Sequence, residues 1–242
     1  MAKMSLFEQV KNKRFAPGSG VAKLPPVYGA KRFFFVSGIH FWKLVQLNLL
    51  FLLFCIPVVT IPAAFCGMNR VLIKLTREGN CFLWNDFIKE FKRCFFKSIP
   101  FGSLFAFFVF DSLLAYNAGV AGESASIGYL ALAFCLLGVT VMFFGYVFVF
   151  LASLDLKNKQ IVKNAFIFML TEWKANIAII GSVLISAGIM VLSVFVSLVL
   201  TFVLLIFIYF SFAQLAVCVV VNRPMEKRII APYEESKKDG KA

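Results

Sequence analysis

Apolar residues run along this chain in three long stretches, 44–69, 98–154 and 175–221, none of which contains a Lys or Arg. All 25 basic residues fall outside them, in the blocks 1–43, 70–97, 155–174 and 222–242. A basic side chain costs several kcal/mol in hydrocarbon, and cytoplasmic loops carry the excess of both types. Each apolar stretch is therefore expected to leave the cytoplasm and return to it as a hairpin of two spans. The pattern predicts an all-α polytopic membrane bundle of six spans. It also predicts a cytoplasmic tail over 1–36, a transmembrane domain over 37–222 and a second cytoplasmic tail over 223–242.

Within the first stretch, a span is expected over 38–56, with His40, Trp42 and Lys43 at its cytoplasmic edge. Pro57 and Pro62 then bracket a turn in which Thr60 is a candidate N-cap and Pro62 lies in the following first turn. One kinked helix over 41–77 would be about 55 Å long, beyond the roughly 30 Å hydrocarbon core, so the hairpin is preferred. Between 82 and 97, Trp84, Phe87, Ile88, Phe91 and Phe95 keep helical spacing. Asp86, Lys89, Glu90, Lys92, Arg93 and Lys97 take the other side. An amphipathic helix on the inner surface is expected there, either filling the junction between two spans or docking a partner.

Further spans are expected over 98–119 and 127–154, flanking an exterior loop, 117–126, whose only charge is Glu123. A second cytoplasmic amphipathic helix follows over 156–174, with Ile161, Val162, Ala165, Phe166, Met169 and Trp173 on one side. The stretch 175–221 would be about 70 Å as a single helix, so it must turn back near Ser193 to Ser197. Gly138 and Gly145, and likewise Gly181 and Gly188, are spaced to lie on one helix face, where small residues permit close packing.

Composition agrees with a membrane chain: 61% of the residues are hydrophobic, 31 are Phe, and the mean hydropathy is +0.87. No apolar core with a small-residue cleavage site stands in the first forty residues, so the first span itself is expected to direct insertion. The net charge of +13 lies at predicted helix ends, which implies anionic lipids and not nucleic acid. Cys55, Cys66, Cys81, Cys94, Cys135 and Cys218 have no CxxC spacing and are read as apolar fillers.

Candidate chemistry is sparse. There is no phosphate-binding loop, nucleophile elbow or HExxH pair, and a single His argues against a His-based metal cluster, so neither catalysis nor a cofactor is expected. Asp111 is the exception, because an ionisable group deep in a span must pair, be protonated or face water. Counted from the outer turns, Arg70 lies at a comparable depth. An Arg70–Asp111 pair supported by Asn48, Asn69 or Asn117 is the expected polar lock, with conduction through the same site as the competing role.

The combination Asn48-Leu49-Leu50, Pro57 to Thr60 and Asp86-Phe87, preceded by PGSGVAK and Phe41-Trp42-Lys43, resembles the YesL family of small bacterial membrane proteins. The resemblance covers residues 16–100. It implies a protein without established catalytic activity, whose relatives' genes accompany carbohydrate ABC importers and polysaccharide-degrading enzymes. Relatives often carry uncharged or aromatic residues in place of Asn69-Arg70. The resemblance thus implies a non-catalytic accessory subunit in the bacterial plasma membrane, bound to importer permease and ATPase subunits. An autonomous small-solute transporter or channel is the rival. Trp84, Asp86, Phe87, Lys89, Lys92 and Arg93 form the expected partner-facing surface.

Overall fold

The computed structural model describes residues 29–121, 127–230 and 232, and all regular structure among them is helical. Helix α1, Ala30–Ile39, is followed by α2, Phe41–Cys55, after an 87° bend at His40. A 3-10 turn over Val58–Thr60 leads into α3, Ile61–Arg77. Next come α4, Leu83–Ala121; α5, Ile127–Ser153; α6, Asn158–Thr171; and α7, Trp173–Val196. The last helix, α8, runs over Leu198–Ile230 and contains π turns at Leu205–Tyr209 and Glu226–Ile230. Glu123, the first 28 residues and residues 233–242 lie outside the described residues.

Five helical segments are long and apolar enough to cross a membrane: Val58–Arg77, Leu83–Val120, Ile127–Ser153, Trp173–Val196 and Leu198–Ile230. A sixth arises if the bent pair α1 and α2 counts as one span. The helical membrane bundle expected from the pattern is present, with the first span as its weakest member. α2 has 15 residues, about 22 Å, against the roughly 30 Å of a hydrocarbon core.

Local chemistry explains the boundaries. Pro57 takes an extended conformation and stops α2, and Pro62 occupies the first turn of α3, where a missing N–H costs nothing. Thr60 does not act as the expected N-cap. Its hydroxyl donates backwards to the carbonyls of Phe54 and Pro57, closing the end of α2 instead of the start of α3. The turn in the last stretch falls where expected: Ser197 alone is extended, and Ser193 Oγ lies 3.1 Å from Thr201 Oγ1 across it. Further down, Ile179 of α7 and Val217 of α8 meet at Gly145, which is the same antiparallel register. At the start of α6, the Lys157 N–H donates to Gln160 Oε1 at 3.1 Å, satisfying a donor that the helix cannot.

The amphipathic segment 82–97 is not a separate surface helix. It is the first part of α4, which continues for 39 residues through Pro100. Phe87, Cys94, Ser98 and Phe101 are buried along one side with Ile88 and Phe91 packed at its edge, and of the expected apolar residues Trp84 is exposed. In α6 the buried face is Ile161, Ala165 and Phe168, shifted from the expected set, so Phe166 and Trp173 are exposed.

Of the four glycines expected at close helix contacts, only Gly145 meets neighbours, Ile179 and Val217, at van der Waals distance, and the tightest contacts are made at other glycines. A Cβ on Gly102 would stand 2.0 Å from Pro62 Cγ, and one on Gly67 would stand 3.1 Å from the Phe87 ring and carbonyl. Gly119 abuts Leu130 in the same way, whereas Gly138, Gly181 and Gly188 face open space. Spacing along one helix cannot reveal which face has a neighbour. The Pro62–Gly102 contact also sets relative depth, because α4 continues for 19 residues beyond Gly102, about 28 Å, beside α5. The tip of the α2–α3 hairpin therefore stops well short of the far end of the α4–α5 hairpin, and the residues at that tip, Ile56, Val58 and Val59, are apolar and exposed.

Two outcomes follow from this packing. Gly102→Ala should lower stability by about 1–3 kcal/mol through overpacking against Pro62, while Gly138→Ala should leave the melting temperature unchanged. In a cysteine-free background, a Cys at Val59 should resist an impermeant thiol reagent added to intact cells while a Cys at Ser197 reacts. Equal labelling of both would show that the α2–α3 tip reaches the same depth as the α7–α8 turn.

Candidate functional site

Charged residues gather where α3, the first half of α4 and the end of α5 meet. They surround a cleft of about 270 Å³. Lys74 Nζ of α3 donates to Asp86 Oδ1 at 2.6 Å, and the other Asp86 oxygen accepts the Phe82 N–H at 3.0 Å, capping α4. Arg93 is bound on several sides. It pairs with Glu90 one turn back and with Asp155 at 3.1 Å, and it donates to the Leu151 carbonyl at 2.9 Å. Lys97 adds a longer bridge to Asp155, 3.6 Å. These bonds tie the last turn of α5 to α4.

Glu90, placed on the solvated side by the pattern, is 5% exposed. It also accepts from the Cys94 thiol at 3.1 Å. The signal that could have found this contact is the i, i+3 spacing of Glu90 and Arg93, which puts a cation within reach of a buried carboxylate.

Arg70 lines this cleft and does not meet Asp111. Its one hydrogen bond among the described residues is a long one, 3.5 Å, to the Ala152 carbonyl. Asp111 lies 21 residues beyond Glu90 on the same helix, about 31 Å away, half-buried and with no hydrogen bond or ion pair to any described residue. Equal depth of Arg70 and Asp111 requires the outer turns of the two hairpins to lie level. The Pro62–Gly102 contact shows that they are not.

The supporting asparagines have other work. Asn48, fully buried in α2, donates from Nδ2 to the carbonyls of Leu205 and Ile206 at 3.0 and 2.7 Å, and its Oδ1 accepts the Ser211 N–H at 2.9 Å. A π turn displaces the helix ladder by one residue. One amide side chain thus serves the polar groups around the π turn of α8. Asn69 Oδ1 accepts from Gln214 Nε2 at 2.7 Å and from the Cys218 thiol at 3.0 Å, while Asn117 is exposed near the end of α4. A third buried amide, Asn176, accepts from Tyr146 at 2.9 Å and donates to the Met169 carbonyl.

Of the expected partner-facing residues, Trp84, Lys89 and Lys92 are exposed, Phe87 is buried, and Asp86 and Arg93 are held in ion pairs. In the α3–α4 loop, burial pushes the Cys81 thiol above its ordinary range, which suits a filler and not a nucleophile. No group of three or more His, Cys, Asp or Glu fit to hold a metal ion occurs among the described residues.

Residues 44–117 match the model of a family described as "Protein of unknown function, DUF624". The match supports a family without an assigned function and spans α2, α3 and nearly all of α4, under a third of the chain. No curated protein and no solved structure matches the chain.

Because Arg93 is bonded to both α4 and α5, Arg93→Gln should lower stability by about 3–5 kcal/mol, leaving Glu90 buried without its cation. Thermal denaturation of the single and double variants at Arg70 and Asp111 should give additive losses, as for sites far apart. A coupling above about 1 kcal/mol would put the two residues in contact.

Proposed function

We propose that the chain is a YesL-like, non-catalytic accessory subunit of the bacterial plasma membrane that binds and stabilises the permease of a carbohydrate ABC importer, with both termini cytoplasmic. The observation that carries this reading is how the buried amide side chains are used. Asn48 and Asn176 are bonded to a helix backbone and Asn69 Oδ1 to neighbouring side chains, with only Asn69 Nδ2 left without a partner among the described residues, which argues against a continuous polar path for a solute. Two clefts, at α4 residues 86–93 and 100–101, stop short of the apolar part of the bundle beyond Phe101.

The outer faces supply the surface for a partner. Phe107, Phe110, Phe134, Leu184, Ile185 and Phe195 are exposed, and only 11% of the most apolar window of α7 is buried. Lipid or another helix bundle can cover such faces. Resemblance in the α2–α4 segment directs the choice of partner to an importer. At the polar end, exposed Trp84 and Lys92 offer a point of recognition that the fold itself does not use.

Affinity purification from native membranes in mild detergent tests the proposal. Permease and ATPase subunits should co-purify with the chain, and Trp84→Ala with Lys92→Glu should reduce their recovery about fivefold without changing the chain's own elution profile. Solute flux in liposomes that contain this chain alone, with no importer subunit recovered, would replace the accessory role with autonomous transport.

A further inference from the structure

The charged cleft is not balanced. Its four cations, Arg70, Lys74, Lys89 and Arg93, exceed its three carboxylates, Asp86, Glu90 and Asp155, by one, and because Lys74 and Arg93 take all three carboxylates, Arg70 and Lys89 face the same space without an ion pair among the described residues. Arg70 has only its long bond to the Ala152 carbonyl, and Lys89 has no hydrogen-bond or ion-pair partner among the described residues. A guanidinium with free N–H groups opposite an ammonium suits a phosphate, which accepts several charge-assisted hydrogen bonds.

Beside the cleft is a second hollow of different character. It is lined by Pro100, Phe101 and Val162, with Asn158 and Lys159 at its polar edge. On α4 it starts seven residues beyond Arg93, about 10 Å, and on the other wall it starts three residues beyond Asp155. The bridges from Asp155 to Arg93 and Lys97 stand between the two hollows. Two unmatched cations next to an apolar trough, at the end of helices whose other surfaces are apolar, match an amphiphile with an anionic head.

We infer that this cleft is a specific site for an anionic phospholipid, its phosphate held by Arg70 and Lys89 and the first part of an acyl chain lying against Pro100, Phe101 and Val162. The chemistry shared with free phosphate is the phosphate group, and the apolar trough distinguishes the two sources. The site does not depend on the importer reading: although Lys89 also belongs to the expected partner-facing surface, the lipid is tested on the isolated chain, with no importer subunit present.

The test uses the full-length protein in neutral detergent, titrated with dioleoyl phosphatidylglycerol, dioleoyl phosphatidylcholine or inorganic phosphate and followed by thermal shift and native mass spectrometry. Phosphatidylglycerol should raise the melting temperature and remain bound in the gas phase, with the neutral lipid and phosphate giving little of either. Lys89→Gln should weaken phosphatidylglycerol binding about fivefold, and Arg70→Gln with Lys89→Gln should abolish its preference over phosphatidylcholine. Lys89 is exposed and unbonded, so its substitution reads binding and not folding. Equal binding of the two lipids, a full effect from inorganic phosphate alone, or an unchanged Lys89→Gln variant would each overturn the site.

Discussion

Four helices of this chain end on carbonyls that no helix bond can use, and a side chain from elsewhere in the fold takes one at every end. Thr60 closes α2 at Phe54, Arg32 closes α3 at Thr76, Arg93 closes α5 at Leu151, and Asn176 closes α6 at Met169. In water such carbonyls are solvated, but in or next to lipid each unsatisfied group costs several kcal/mol. The contacts that close the helices also fix their neighbours. Arg32, which is 5% exposed, holds α1 against the end of α3, and Arg93 holds the end of α5 against α4. The π turn of α8 follows the same rule, with Asn48 of α2 serving its displaced carbonyls. In this bundle, polar side chains act as fasteners between helices because the backbone demands them.

The same rule separates what the sequence made legible from what it hid. Hydropathy and basic blocks exposed the helical segments, and length against bilayer thickness located the turn at Ser197, where no Gly or Pro marks it. These are properties of one segment read against one solvent. The polar residues were not legible, because their partners are carbonyls, which every residue has. Arg70 and Asp111 were the natural pair only if turns at Pro57 and near residue 122 lie at one depth. Pro62 packing on Gly102 shows a difference of about 28 Å of helix. Spacing points equally to Gly138, Gly145, Gly181 and Gly188, but only the assembled bundle shows that Gly145 has neighbours and the other three do not.

The family match falls on α2, α3 and α4 and includes α3, the most buried of the candidate spans. The apolar window of Val58–Arg77 is 56% buried, against 11% in α7. The Phe54 ring meets Phe87 tilted and Phe91 edge-on at centroid distances of 5.3 and 4.8 Å, which links α2 to the first half of α4 over the flank of Gly67. α7 and the first part of α8 contribute mostly surface, whereas the second part of α8 carries Leu215, Cys218, Val221 and Met225 into the core. The surface part is constrained by lipid compatibility more than by particular contacts, so resemblance there reduces to hydropathy.

Gly102 divides α4 into two 19-residue arms, each about 28 Å long. One arm lies along α3 and carries the charged cleft; the other runs with α5 among apolar surfaces. Pro62 rests on the midpoint with no Cβ between them, and Pro100 has already removed one rung of the helix ladder two residues earlier. Mechanically, α4 is softest next to the point where Pro62 supports it. A sideways load at Trp84 is therefore taken up as bending beside Pro62, so that the angle between the two arms changes before the load reaches Tyr116.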